Sequence, residues 1–193
     1  MDPNLLEGKK VVGTEGYILG EIEGIDIDLR TWEANAFCVS LSDESTAELG
    51  LKKTFLKKII VCFPTELIKA VGEVITLKEP IRNLEDIEKR GIIVSSPKLK
   101  GKKVIGAKGF NIGEVEGFDI ELANWQVTGL KVVLTDEAAT ELGFKIPFLS
   151  KVVVIIPTNI VSLVSNFVTL DETIQNIESI IECIKSCQKR NQN

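Results

Sequence analysis

Histidine is missing from this 193-residue chain, tyrosine and methionine occur once each, and tryptophan occurs twice. Without an imidazole, the commonest general base and the commonest nitrogen ligand for zinc are both unavailable. Cysteine is sparse: Cys38, Cys62, Cys183 and Cys187 are the four, and no two stand in CxxC spacing. The zinc-ribbon and thioredoxin patterns therefore do not apply. Long hydrophobic runs are also missing, since the densest one, Val152–Ile156, is too short to span a bilayer. The opening Met1-Asp2-Pro3-Asn4 has neither the basic nor the apolar region of a secretory signal. These absences lead us to expect a soluble, cytoplasmic protein with no direct membrane insertion, no metal and no cofactor. In that compartment the cysteines are expected to be reduced and partly buried.

What the chain does have is a repeat. Displaced against itself by 93 positions, Gly8–Ile87 aligns with Gly101–Ile180 without a gap, and 36 of 80 positions are identical. The shared frame runs GKKV-x-G-x(2)-G-x(3)-GE-x-EG-x-DI-x-L-x(2)-W, then V-x-L-x-DE, ELG and FL. It closes on a proline–threonine pair, Pro64-Thr65 and Pro157-Thr158. A period this long exceeds that of solenoids and propellers, so each copy is expected to be a domain of its own. The expected division is a first domain over 1–90, a linker over 91–100 and a second domain over 101–193.

Within a copy, Glu21–Leu29 reads as a half-buried strand, with Glu23, Asp26 and Asp28 toward water and Ile25, Ile27 and Leu29 inward. Ile22 and Ile25 are three apart, which strict alternation forbids, so a bulge is expected at Gly24. Val115, Gly117, Phe118, Ile120 and Leu122 repeat the pattern. A polar turn leads through Trp32 or Trp125 into a second strand, in which Phe37, Val39 and Leu41, or Leu130, Val132 and Leu134, alternate inward. Asp43-Glu44 and Asp136-Glu137 open short helices whose acidic first turns suit the helix dipole, and Gly50 or Gly143 closes them. The apolar runs Ile59–Phe63 and Val152–Ile156 read as strands buried on both faces and stopped by proline. A last strand follows at Glu73–Leu77 or Phe167–Leu170, and Lys10–Val12 or Lys103–Ile105 opens each copy. With so few strands, closing the sheet into a small barrel removes its edges.

The order of these segments, and above all Phe55-Leu56-Lys57-Lys58-Ile59-Ile60-Val61 and Pro64-Thr65-Glu66-Leu67-Ile68-Lys69-Ala70-Val71-Gly72, resembles the archaeal PRC-barrel family. That family is named for the photosynthetic reaction-centre H subunit. The resemblance covers both copies; it departs at Ser165 and Asn166, which replace Gly72 and Glu73. It implies a mostly β fold: two tandem small PRC-type β-barrels, each with one or two short helices, plus a C-terminal helix. It also implies an adaptor without catalytic residues. Similar domains occur in the ribosome maturation factor RimM and in archaeal proteins that join the FtsZ division machinery through the anchor SepF. The stand-alone archaeal form is the nearest likeness, so the implied partner is a SepF-like division protein, and the implied place is the division site. A RimM-like role in ribosome assembly is the alternative.

The residues themselves favour binding over catalysis. Glu21, Glu23, Asp26 and Asp28, with Glu114, Glu116, Asp119 and Glu121, are the candidates for acid/base or hard-cation chemistry. Their spacing is that of the solvent face of a strand, so a solvated acidic face is the simpler account. Gly13, Gly16 and Gly20, matched by Gly106, Gly109 and Gly113, lack the lysine–hydroxyl pair of a phosphate loop and read as hairpin glycines. Each copy nets −4, so nucleic acid is disfavoured as a partner despite the local cluster Lys52, Lys53, Lys57 and Lys58.

Glu172–Lys189 reads as a helix with the stripe Ile174, Ile177, Ile181 and Ile184. Ile81, Leu84 and Ile87 hold the matching places in the first copy, where the pattern stops at Gly91; the second continues to Cys187. The stripe either folds back on its own domain or docks a protein partner, self-association included, and the extra length makes these four isoleucines the candidate contact residues. Ile92, Ile93 and Val94, ahead of Pro97, are candidates for an edge strand or an interdomain tie.

Overall fold

The computed structural model describes residues 6–51, 58–80, 99–145, 151–177 and 179. The chain is mostly β and divides into two compact units, 1–97 with 122–126, and 98–121 with 127–193.

In unit 1 the elements are β1 (Lys10–Val12), β2 (Ile18–Asp28), β3 (Glu33–Leu41), α1 (Asp43–Glu48), β4 (Ile60–Pro64), β5 (Ile68–Val71) and β6 (Ile75–Leu77). Their order across the sheet is β4-β3-β2-β1-β6-β5. Every neighbouring pair is antiparallel except β1 and β6, which run parallel. The ladder between β2 and β3 shifts register between Ile22 and Gly24, where the interrupted alternation predicts a bulge. Phe37, Val39 and Leu41 all face inward and meet Leu19, Phe63, Ile75 and Leu77 in burial. Each such fully buried side chain contributes about 1.5–3 kcal/mol relative to exposure.

Unit 2 repeats the order with β7 (Lys103–Ile105), β8 (Asn111–Glu121), β9 (Gln126–Leu134), α2 (Asp136–Glu141), β10 (Val153–Pro157), β11 (Val161–Val164) and β12 (Val168–Leu170). Ile112, Leu130, Val132, Ile156 and Leu170 are among its buried residues. Phe118, in the place of the buried Ile25, is only half-buried.

Three expectations need correction. The sheet is not closed: among the described residues no ladder joins β4 to β5, or β10 to β11, although each pair is consecutive. Pro64 and Pro157 end the first strand of each pair, and a single 3₁₀ turn, Thr65–Leu67 or Thr158–Ile160, carries the chain round the corner without pairing it. The apolar runs are buried on both faces only in part: Cys62 and Phe63, adjacent in β4, are both buried while Ile60 is exposed, and in β10 Val154 and Ile156 are buried while Val153 is exposed. Nor are the thiols all reduced, for Cys38 and Cys62 are bonded, with sulfurs 2.02 Å apart. The register of β3 against β4 sets the two residues directly opposite each other, which a separation of 24 in sequence does not reveal. In unit 2 the same opposed pair is Lys131 and Ile155.

α1 and α2 each carry a side-chain cap in addition to an acidic first turn. Ser42 Oγ accepts from the Ser45 amide and Thr135 Oγ1 from the Ala138 amide, while Gly50 and Gly143 take left-handed φ beyond the last turn. Ser42 Oγ also donates to Ser45 Oγ, which donates to the Ile18 carbonyl, so the cap ties α1 to β2. Ser42→Ala is expected to cost about 1 kcal/mol, up to about 2 because the buried Ser45 hydroxyl loses a partner. Urea unfolding of the variant against wild type measures it.

Candidate interaction surfaces

The acidic residues of β2 do line its outer side. Glu21 and Glu23 are exposed and Asp26 and Asp28 half-buried, alternating with buried Ile22, Ile25 and Ile27. Lys58 Nζ donates to Glu23 Oε2 at 2.9 Å. At the end of the strand Asp28 closes a turn, accepting the Arg30 amide at 2.8 Å on Oδ1 and Arg30 Nη2 at 3.2 Å on Oδ2. The Arg30 guanidinium and backbone N–H hold the Asp28 carboxyl below its usual range. Asp26 is pushed the other way, first by partial burial and then by the charge of Asp28. In β8, Glu114 and Glu121 are exposed and Glu116 and Asp119 half-buried. Among the described residues no three carboxylates or thiols converge as they would around a metal ion.

A carboxylate with a raised folded-state pKa binds its proton more tightly folded than unfolded, so stability falls as pH rises through that range. Asp26→Asn is therefore expected to raise the thermal midpoint slightly at pH 7 and to change nothing below pH ~3, where both states are protonated. Melting curves at the two pH values check it.

Two concavities open on unit 1. One, of about 560 Å³, is lined by Glu7, Ile18, Glu21, Glu23, Ser42 and Lys58 among others. The other, of about 540 Å³, includes Asp26, Glu33, Asn35, Thr65, Glu66 and Trp125. Lined by several carboxylates, both suit a basic side chain from a partner better than a small apolar ligand.

No family model matches the chain, and no curated protein matches it. Its surfaces must therefore be read from their own geometry. Of the four isoleucines proposed as partner contacts, Ile174 and Ile177 are 7% and 1% exposed. They begin a helical turn at 174–177, tied by the Ile177 amide to the Thr173 carbonyl. Both are covered within the chain as it stands, so neither offers a free face. Ile181, Ile184, Cys183 and Cys187 lie outside the described residues, as do Lys52, Lys53, Lys57 and the segment with Ile92, Ile93 and Val94.

The glycines divide by role. Gly16 and Gly109 have positive φ and make turns, as read from the sequence. Gly20 and Gly113 instead lie inside β2 and β8, pressed against the backbone of the neighbouring strand. The sequence places Trp32 and Trp125 in the hairpin turn but does not show their backbone conformation. Trp32 and Trp125 both adopt φ of 59°, a left-handed conformation uncommon for a bulky residue. Inside unit 1, Trp125 meets Phe37 edge to face, with centroids 5.3 Å apart. The recurrence of tryptophan at the same place in both copies was the available signal.

Proposed function

We propose that this protein is a non-enzymatic protein–protein adaptor whose two PRC-type units hold different partners. The observation that carries the proposal is the pattern of sameness and difference between the copies. The strand order and most buried positions are shared, while surface positions such as Lys69/Ser162 and Glu73/Asn166 have diverged in charge. Two similar supports with different outer faces suit joining rather than chemistry, and covalent linkage raises the effective concentration of the second partner once the first is bound. The likeness to archaeal PRC barrels makes a SepF-like anchor of the FtsZ division machinery the proposed partner of one unit, at the division site. The acidic concavities of unit 1 favour a basic segment on that partner.

Affinity purification of the tagged full chain from its native host, with mass spectrometry and RNA sequencing of the eluate, tests this reading. Recovery of SepF or FtsZ supports it. Recovery of ribosomal proteins with precursor RNA would transfer the protein to the RimM-like role in ribosome assembly, and recovery of neither would overturn both.

A further inference from the structure

The last strand hairpin of unit 2 differs from its counterpart in unit 1 in a way the shared fold does not require. Leu163 and Phe167, on β11 and at the turn into β12, are 60% and 48% exposed. Their equivalents in unit 1 are the smaller Ala70 and Val74. Charge has changed in the same place. From Val152 through Leu170 the chain carries no Asp, Glu, Lys or Arg, whereas the matching stretch of the first copy carries Glu66, Lys69 and Glu73. Both β5 and β11 end their sheets and, among the described residues, pair on one side only. Exposed lysines on such strands are a common device against edge pairing. Unit 1 has one at Lys69, and unit 2 has Ser162 instead.

We infer that β11 is a self-association edge, pairing antiparallel with β11 of a second copy of this chain about a two-fold axis. The occupant follows from charge. The chain nets −5 and each repeat nets −4, so most approaches of one copy to another oppose acid to acid. Along β11 every residue is neutral, and a two-fold joint that matches the strand with itself brings no like charges together. Lys102, whose ammonium donates to the Ser165 carbonyl at the hairpin tip, does not disturb this, because antiparallel pairing sends the two tips to opposite ends of the joint. The register shift between Val161 and Leu163 keeps the new ladder short. The joint therefore falls well below the ~800 Å² per partner of a stable interface, and the dimer is concentration-dependent.

Sedimentation equilibrium of the full chain tests this over roughly 5–500 µM, the span in which interfaces of this weak class fill. The weight-average mass should climb from 21.2 kDa toward twice that value. The double variant Ser162→Lys/Leu163→Ala installs the residues already present at Lys69 and Ala70, so the fold has a precedent for them. It should stay at 21.2 kDa throughout, with an unchanged melting curve. A wild-type chain that stays monomeric over the whole range, or a double variant that associates as wild type does, overturns the inference. Neither result bears on whether SepF is captured.

Discussion

Replacing Gly20 or Gly113 by alanine is expected to break its unit, with a loss of stability above about 4 kcal/mol, in the extreme tail for single substitutions. A Cβ at Gly20 would stand 2.0 Å from the Ser40 carbonyl oxygen, and one at Gly113 would stand 2.0 Å from the Val133 oxygen. Both obstacles are backbone atoms in the adjoining strand, so no rotamer change relieves the overlap and the two strands must part. That opening would run through the middle of the sheet, beside buried Leu19 and Leu41 or Ile112 and Leu134. The control is Gly24→Ala, where a Cβ meets nothing within 4 Å; it is expected to change stability by less than about 1 kcal/mol. Circular dichroism and urea titration separate the cases. If Gly20→Ala unfolds no more readily than Gly24→Ala, the close approach does not govern the fold.

The second large effect concerns Cys38 and Cys62. Converting both to alanine is expected to remove about 3 kcal/mol, since the bridge closes a 24-residue separation that the unfolded chain otherwise leaves free. At about 2–4 °C per kcal/mol for a chain of this size, the thermal midpoint should drop by roughly 6–12 °C. A thiol reductant should shift wild type by a similar amount and leave the double variant where it is. A wild-type midpoint indifferent to reductant would mean that the bridge does not form in solution. Bonded cysteines suit an oxidising compartment, or the interior of hyperthermophilic archaea, where intracellular disulfides are common.

Local periodicity made much of this fold legible in advance. Ile22, Gly24 and Ile25 announced the bulge of β2, and Asp43-Glu44 with Gly50 bracketed α1 almost to the residue. What stayed hidden depends on which strands become neighbours. Ile60 and Val153 look like core residues because their segments are apolar throughout, yet both are exposed, since an unbroken apolar run does not show which face of a strand is covered. The bridge between Cys38 and Cys62 is likewise a matter of register. β5 and β11, only four residues long each, carry too short a pattern to stand out as strands. Of the candidate contact surface, the stripe of isoleucines was visible as a stripe, but periodicity marks an apolar face without saying what covers it. Ile174 and Ile177 turn out to be covered already.

The parallel pairing of β1 with β6 sets how unit 1 would carry mechanical load. Tension on the chain before Lys10 draws β1 one way along its axis, and tension after Leu77 draws β6 the opposite way, because the two strands point in the same direction. Their hydrogen bonds are then strained together in shear instead of parting one at a time. A pull applied across unit 1 would thus meet that unit's first and last strands locked side by side.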